Sequence, residues 1–366
     1  MPRVSDVAVV GAGIIGLSAA YRLVRQGLSV TVYDVGRPGH GQSAGQSRIF
    51  RHAHDDRRLV DLAVRARHHW DVWSDEFGIP LISPDGAVML GDAVPRRRGL
   101  LERAGVTVVP LDAQGLREVM PVLADYQGEA MLDVDGGSID TRSAIAGLSG
   151  RLSGTFVHEE VLAAHSDGDT VTIRTPTTVG EHGAAVVCAG RGTAPLARGL
   201  GVAIPVRLGA HVRVSFAVRD SNLRLPTLQD GSGHFGADAV YAAGYPDRSA
   251  YGLGIADDID AHDDGTLDDA TRLGELADAA GRYVATALPG LDPTPRDIVH
   301  CWVTTLPWGD DGVALWRTGP VVAVAGHNMF KHAPVIGEAL AETVVAGRVP
   351  SGFAPEDRLG GVADKA

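Results

Sequence analysis

The stretch VAVVGAGIIGLSAAYRLVRQGLSVTVYD, Val7 to Asp34, decides how the rest of the chain is read. Its four opening apolar residues, Val7 to Val10, suit a strand buried on both faces. Gly11, Gly13 and Gly16 then turn the chain into an apolar helix that runs to Gly27, and a second strand returns to an acid, Asp34. Each glycine has a task in this βαβ unit. The first makes the tight turn, the second lets the backbone approach a pyrophosphate, and the third lets the helix press on the strand. The helix N-terminus at Ile14, Ile15 and Gly16 offers N–H groups and a partial positive charge to phosphates. Asp34 is placed to accept from an adenosine ribose hydroxyl. A glycine-rich turn alone is weak evidence, but strand, helix and spaced acid together predict dinucleotide binding, without separating FAD from NAD.

Composition narrows the alternatives. With 366 residues the chain is too long for one small core and suits two domains. It is 45% hydrophobic with a mean hydropathy of +0.04, as expected of a globular protein, and no apolar run is long enough to cross a bilayer. The N-terminus enters its first strand almost at once, leaving no room for a charged leader, so the expectation is a cytoplasmic protein. A net charge of −12 argues against a sequence-independent grip on nucleic acid. Arg96 to Arg98, after Pro95, read as the exposed start of a helix. The two cysteines, Cys188 and Cys301, make no disulfide framework. Of 33 lysines and arginines only Lys331 and Lys365 are lysines. Lys365 falls in the terminal tail, whereas Lys331 lies in an apolar, glycine-punctuated segment, where a charge without a partner is costly.

Further along, Gly36 to His54 is too rich in glycine for a helix, yet holds Arg48 and Arg51 among Ile49 and Phe50. A helix with apolar periodicity follows from about Leu59 to Phe77 and sends Trp70 and Trp73 to a core. Strands are predicted near Ala87–Leu90 and Val106–Pro110, and a helix capped near Asp140 or Thr141. Thr155–Ala164, Thr170–Arg174 and Ala184–Cys188 read as strands, the last running into Ala189, Gly190 and Gly192. More strands fill about Val206 to Ile255. The acidic loop Asp257–Asp269 reads as a solvated face without metal-ligand spacing, so no metal site is expected. A helix covers about Leu273–Leu288. A final strand, Val321–Ala325, leads through Gly326 and GHNMFKHAPVIGEALAETVVAG to a helix that starts at Pro334 and stops at Gly347. The fold expected is α/β. A Rossmann-type domain (1–78, 137–204 and 296–358) carries an inserted antiparallel-sheet substrate domain (79–136 and 205–295), and 359–366 form a flexible tail.

GAGIIGLSAAYRL at Gly11–Leu23, SRIFRHAH at Ser47–His54 and FKHAPVIGEAL at Phe330–Leu340 carry a resemblance to a known family. Over Val7 to about Arg358 the chain resembles the flavin-dependent amine and amino-acid oxidases of the monomeric sarcosine oxidase, glycine oxidase and D-amino-acid oxidase family, most of all the sarcosine oxidase branch. The resemblance implies a glutathione-reductase-like FAD fold of the D-amino-acid oxidase type. FAD would lie extended on Gly11, Gly13, Ile14, Ile15, Gly16 and Asp34, with Val161 near the adenine and Ala189 and Gly190 near the pyrophosphate. Ser47 and Arg48 match positions at the isoalloxazine ring, and Gly326, Asn328, Met329, Phe330 and Lys331 are likewise implied to bind the cofactor. Arg51 and Lys331 match the pair that clamps the substrate carboxylate, a task suited to one forked guanidinium and one ammonium in an apolar pocket. The helix from Pro334 would point its positive end at the flavin pyrimidine edge.

Cys301 stands in CWVT, close to the C-x-Y-T context through which that branch attaches its flavin. A thioether at Cys301, a register shifted to His300, and a buried apolar cysteine are the readings left open; Cys188 reads as core packing. Three departures follow from the same resemblance. The lysine that promotes oxygen reactivity is replaced by Gly254, the usual histidine maps to His327 or Asn328, and a substrate-loop tyrosine appears as Ala243 with Tyr245 close by, which implies a wider pocket. The activity implied is FAD-dependent oxidation of the C–N bond of a small or N-substituted amino acid. Hydride transfer to flavin N5 would give an imine that water hydrolyses, with oxygen or another electron acceptor reoxidising the flavin. Tyr245, His327 and His332 are candidates for setting the amine's protonation state, while His68, His69 and His211 read as helix-surface or core histidines. The alternatives are an NAD-dependent Rossmann dehydrogenase, which leaves GHNMFKHAP unexplained, and a non-catalytic flavin-binding protein. The partners expected are a small carboxylate substrate and an electron acceptor, not nucleic acid or membrane.

Overall fold

The computed structural model describes residues 3–361. The chain divides into two compact units: Met1–Ala44, Arg142–Leu208 and Val303–Ala366 form one, Gly45–Thr141 and Gly209–Trp302 the other. Among the described residues no helix is long and apolar enough to cross a membrane.

The first unit is built on an eight-stranded sheet. Its order is Val313–Thr318, Val321–Gly326, Val179–Val187, Arg3–Val10, Val30–Tyr33 and Phe156–Val157, with the hairpin Ala163–Asp167 and Thr170–Arg174 attached to Val179–Val187. Arg3–Val10 runs parallel to both neighbours, Val9 pairing with Val186 on one side and Val32 on the other. Each residue of Val7–Val10 is at most 4% exposed, which explains why four apolar residues stand in a row without alternation. The helix Ile14–Arg25 meets the helix Ala333–Ala346 where a Cβ on Gly337 would lie 2.1 Å from Ser18 Oγ. A glycine facing a serine thus sets how closely these two helices approach. Leu359 is buried and its carbonyl accepts from Val313 N at 3.0 Å, so residues 359–361 belong to the fold rather than to a tail. Residues 362–366, with Lys365, lie outside the described residues.

The second unit is built on a nine-stranded sheet ordered Ile259–Asp260, Arg207–Val218, Ala250–Ile255, Val240–Gly244, Thr227–Asp230, Ala87–Leu90, Ala130–Asp133 and Val108–Pro110, with Leu291–Thr305 also paired to Arg207–Val218. Thr227–Asp230 and Ala87–Leu90 run parallel, so the sheet is mixed and not purely antiparallel as expected. These two strands are distant in the chain and no tight turn fixes their relative direction. Direct partners share a face, and the register gives the two faces different chemistry. Leu228, Ala242, Leu253 and Val214 form one row, buried with Leu276, Tyr283 and Val284 of the helix Arg272–Ala287. The opposite face carries Gln229, Tyr241 and Gly254 in one row and Ala243, Gly252 and Ser215 in the next.

Residues 45–78 group with this second unit, not with the dinucleotide domain to which the sequence boundary assigned them. Two attachments hold them there. The strand Ser47–Phe50 pairs with Gly137–Asp140, and the Asp133 carboxylate accepts from His52 N at 2.7 Å. The helix Arg57–Phe77 follows, capped by the Asp56 side chain accepting from Arg58 N and ended by Gly78 at φ 69°. Trp70 and Trp73 pack edge to face in its buried stripe, as the periodicity predicts.

Candidate active site

In the first unit, the glycine turn is a surface of bare backbone. Gly11 has φ +104°, and a Cβ there would lie 2.3 Å from the carbonyl oxygen of Cys188; a Cβ on Gly16 would lie 1.9 Å from that of Gly11. Neither position admits a side chain. Gly13 faces a serine that sequence reasoning missed: its added Cβ would lie 3.1 Å from Ser43 Oγ, which also accepts from Ile14 N at 2.9 Å. Ser43 therefore caps a helix whose own preceding residue has no side chain to do so. Asp34 accepts from Ala12 N at 2.6 Å and Gly36 N at 3.0 Å, with His40 Nδ1 at 3.3 Å. A carboxylate has about four acceptor positions, so these contacts fix Asp34 and leave acceptor capacity for a ribose. Val161 is partly buried against the core around Tyr33 and Ala164. Gly190, at φ +57°, sits where a Cβ would meet Gln42 Oε1 at 2.3 Å. Burial pushes the Cys188 thiol up, consistent with a packing role.

The C-terminal motif belongs to the same unit. Gly326 O accepts from Thr304 Oγ1 at 3.0 Å. Asn328 adopts a left-handed φ of 53° and donates Nδ2 to Asp311 Oδ1 at 2.7 Å. His327 donates Nδ1 to Asp310 O at 2.9 Å, which sets Nε2 as its basic nitrogen. A short turn, Met329–His332, then enters the helix Ala333–Ala346 with Pro334 in its first turn. Lys331 is 5% exposed and its Nζ donates to Asn328 O at 3.1 Å. His332 is buried beside it in the sequence.

The second unit holds the other group of predicted residues. Ser47 Oγ points at Ala243 O, 3.5 Å away, and so ties the strand Ser47–Phe50 to the polar face of the nine-stranded sheet. Arg48 donates Nη1 to Ser47 O at 3.0 Å, and Gly45, at φ +130°, leaves the space for it: a Cβ there would lie 2.6 Å from that nitrogen. Burial, and next the charge of Arg213, lower the Arg48 pKa to about 10. Cys301 and Tyr241 act on the same guanidinium, so the structure assembles Arg48, Arg213, Tyr241 and Cys301 into one cluster. Burial raises the Tyr241 phenol to about 12. Its ring covers Gly254, where an added Cβ would lie 2.3 Å from Tyr241 Cζ. His300 is exposed, while Cys301 is half-buried, so Cys301 is the residue of this pair that joins the cluster. Asp258 pairs with His211 and acts on Tyr241, and Ile259 is buried, so this part of the loop Asp257–Asp269 is not the solvated face expected.

Arg51 lies between two anchored neighbours in this unit. Phe50 is fully buried, and His52 is held through N at 2.7 Å and Nδ1 at 3.0 Å by the buried Asp133 carboxylate. Tyr245 Cε1 would be 3.4 Å from a Cβ on Gly252. Sequence reasoning named Ser47, Arg48, Arg51 and Cys301 as candidates but not Arg213, Tyr241 or the His52–Asp133 pair, which the structure sets near them in this unit. Their only signal is alternation: Arg213 is a cation at a position whose strand neighbours Val212 and Val214 are core residues.

A family model described as DAO, FAD dependent oxidoreductase, matches residues 6–343. The chain belongs to this family. The N-methyl-L-tryptophan oxidase of Escherichia coli O81 (strain ED1a) is 31% identical over 205 residues, which cover 50% of this chain and 53% of that protein. The chain thus spans about half the length of the curated relatives it matches. Among solved structures, NikD, described as an unusual amino acid oxidase essential for nikkomycin biosynthesis, superposes with a TM-score of 0.85 at 20% identity, covering 100% of this chain and 99% of its own. The L-proline dehydrogenase from P. horikoshii gives 0.81 at 20% identity, covering 97% and 98%. These likenesses confirm the fold. The residues of this FAD-dependent oxidoreductase fit its cofactor. Gly11 and Gly16 keep side chains off a backbone surface at a helix N-terminus, and Asp34 is fixed at the end of the second strand.

Proposed function

We propose that this chain oxidises the C–N bond of a small or N-substituted amino acid. Lys331 supports this most: it is a nearly buried cation, 5% exposed, in the C-terminal motif of an FAD-family fold, and an ammonium is suited to a carboxylate. In this reading Lys331 and Arg51 hold the substrate carboxylate, the forked guanidinium taking two oxygens and the ammonium acting as a point charge. The Asp133 contacts to His52 keep the backbone beside Arg51 in place. His327 Nε2, His332 and Tyr245 are the groups proposed to hold the amine neutral, so that no further protein base is required. Bound FAD supplies the two-electron acceptor. The N-methyl amino acid in the name of the Escherichia coli relative supports an N-substituted substrate.

Cys301 is the proposed point of covalent flavin attachment, supported by its half-buried position within electrostatic reach of Arg48. A second reading concerns the electron acceptor. Tyr241 occupies the space over Gly254, so no lysine fits there while the tyrosine keeps its place, and this favours an acceptor other than oxygen. The visible spectrum of the purified protein, before and after acid precipitation and then with sarcosine, glycine and bulkier N-alkyl glycines without oxygen, tests these assignments. A yellow pellet and bleaching by one of these amino acids are expected. A yellow supernatant would return Cys301 to a packing role, and a colourless protein that binds NAD would reject the flavin reading. Reoxidation by air, compared with reoxidation by an artificial acceptor, decides between the two acceptors.

A further inference from the structure

Arg213 has no role in the scheme above. It lies on the strand Arg207–Val218, two residues before Ser215 and therefore on the polar face of the nine-stranded sheet. Its guanidinium sits over bare backbone: a Cβ on Gly252 would lie 3.2 Å from Nε and 3.6 Å from Nη2, with Tyr245 Cε1 at 3.4 Å from the same point. Gly254, in the neighbouring row, is covered by Tyr241 in the same way. Two glycines on one strand thus form a floor, and an arginine and two tyrosines from neighbouring segments reach over it.

Among the described residues, the Arg213 guanidinium has no hydrogen-bond or ion-pair partner. A like charge lies within its reach, since after burial the charge of Arg213 is what disfavours the charged form of Arg48. Asp258, the carboxylate that acts on neighbouring Tyr241, is engaged by His211. A half-buried guanidinium beside a second one is electrostatically incomplete, and its five donors in a planar fork match a carboxylate.

We propose that Arg213 receives a second carboxylate of the substrate, carried on its side chain or nitrogen substituent, so that the preferred class is a dicarboxylic, N-substituted amino acid. This rests on the amino-acid reading above and adds a selectivity to it. Tyr245 and Tyr241 flank the chain that carries the second carboxylate, and Gly252 and Gly254 make the room in which Arg213 and these tyrosines reach over the strand. Arg213 acts on selectivity, whereas the carboxylate next to the reacting carbon is assigned to Lys331 and Arg51.

The test uses the holoenzyme and compares anaerobic flavin reduction by substrate pairs that differ only in the second carboxylate: N-methylglycine against N-(carboxymethyl)glycine, and N-methylalanine against N-methylaspartate. The wild type is expected to prefer the dicarboxylate by at least about tenfold, the range of a charge-assisted hydrogen bond. That preference falls to near one in Arg213→Met and is partly restored in Arg213→Lys, each variant being checked for unchanged flavin content. Equal use of both pair members by the wild type, or a preference that survives Arg213→Met, would overturn the assignment. So would an equal loss with both pair members accompanied by a changed flavin potential, because Arg213 would then act on the flavin. Failure of every amino acid to bleach the flavin would reject the amino-acid reading itself, whereas bleaching without preference rejects this assignment alone.

Discussion

Replacing Asp133 isolates one way in which the fold holds the residue next to a proposed catalytic cation. Asp133 and His52 have side chains 3% and 4% exposed, and the carboxylate accepts from His52 N at 2.7 Å and from Nδ1 at 3.0 Å. In Asp133→Ala the His52 N–H is left buried without its acceptor, at a cost of about 1–3 kcal/mol, and the bond to a charged acceptor, about 1.5–3 kcal/mol, is lost as well. The sum, about 2.5–6 kcal/mol, brackets the roughly 3–5 kcal/mol that removing one partner from a buried pair usually costs. Asp133→Asn keeps an acceptor for the backbone and loses about 1–2 kcal/mol. Urea unfolding of the holoenzyme measures this through tryptophan fluorescence, since Trp70 and Trp73 are buried in the same unit. KM for the amino acid is expected to rise in both variants, more in Asp133→Ala, because the backbone beside Arg51 is loosened. A destabilisation by Asp133→Ala below about 1 kcal/mol, the effect of an ordinary substitution, would refute the reasoning. Equal damage from Asn and Ala would show that the negative charge, not the acceptor, does the fastening.

Three further outcomes are expected. Gly16→Ala forces a Cβ into a position 1.9 Å from Gly11 O, which is backbone and cannot rotate away, so stability falls by about 1–3 kcal/mol and the ratio of flavin to protein absorbance drops; a variant with full flavin content would contradict the packing argument. Lys331→Met keeps the volume but removes the cation and its bond to Asn328 O, so affinity for carboxylate ligands weakens at least about tenfold, read by perturbation of the flavin spectrum, and unchanged affinity would contradict the clamp. Five of the seven tyrosines, Tyr33, Tyr126, Tyr241, Tyr251 and Tyr283, are held above their ordinary pKa, chiefly by burial. The folded protein therefore binds more protons than the unfolded chain once the pH passes about 10, and stability declines from there upward. A native phenolate absorbance near pH 10.5 equal to that of the urea-unfolded chain would exclude this.

The glycine turn of the first unit and the sheet face of the second were unequally legible in the sequence. The nucleotide end is local: strand, glycine turn, helix and acid lie within Val7–Asp34, Gly16 is required by a contact inside that stretch, and Gly11 by one with Cys188 O at the end of the strand beside it. The sheet face is not local. Arg213, Tyr241, Gly252 and Gly254 share a face only because three strands pair in one register, and a shift of one residue would turn Arg213 into the core with Val212 and Val214. Single-sequence reading sees alternation in such strands but not which strand lies beside which. The grouping of residues 45–78 with the second unit was not legible for a related reason. Their attachment runs through Asp133 and the strand Gly137–Asp140, both far along the chain. Ser43 was overlooked because a cap supplied from a distant loop has no fixed spacing from the helix it caps.

These differences bear on how the chain divides conserving a cofactor from choosing a substrate. The cofactor end tolerates little change, because its surface is backbone and the positions that shape it, Gly11 and Gly16, have no space for a side chain. The sheet face is shaped the opposite way. Its floor is made by what Gly252 and Gly254 lack, and its chemistry by Arg213, Tyr241 and Tyr245, which reach over from adjacent segments. A substitution at either glycine must displace one of those side chains, so floor and wall cannot vary independently. Substrate choice in this chain is therefore expected to change by coupled pairs, Gly252 with Arg213 and Gly254 with Tyr241, while the apolar face beneath them, packed on the helix Arg272–Ala287, stays as it is.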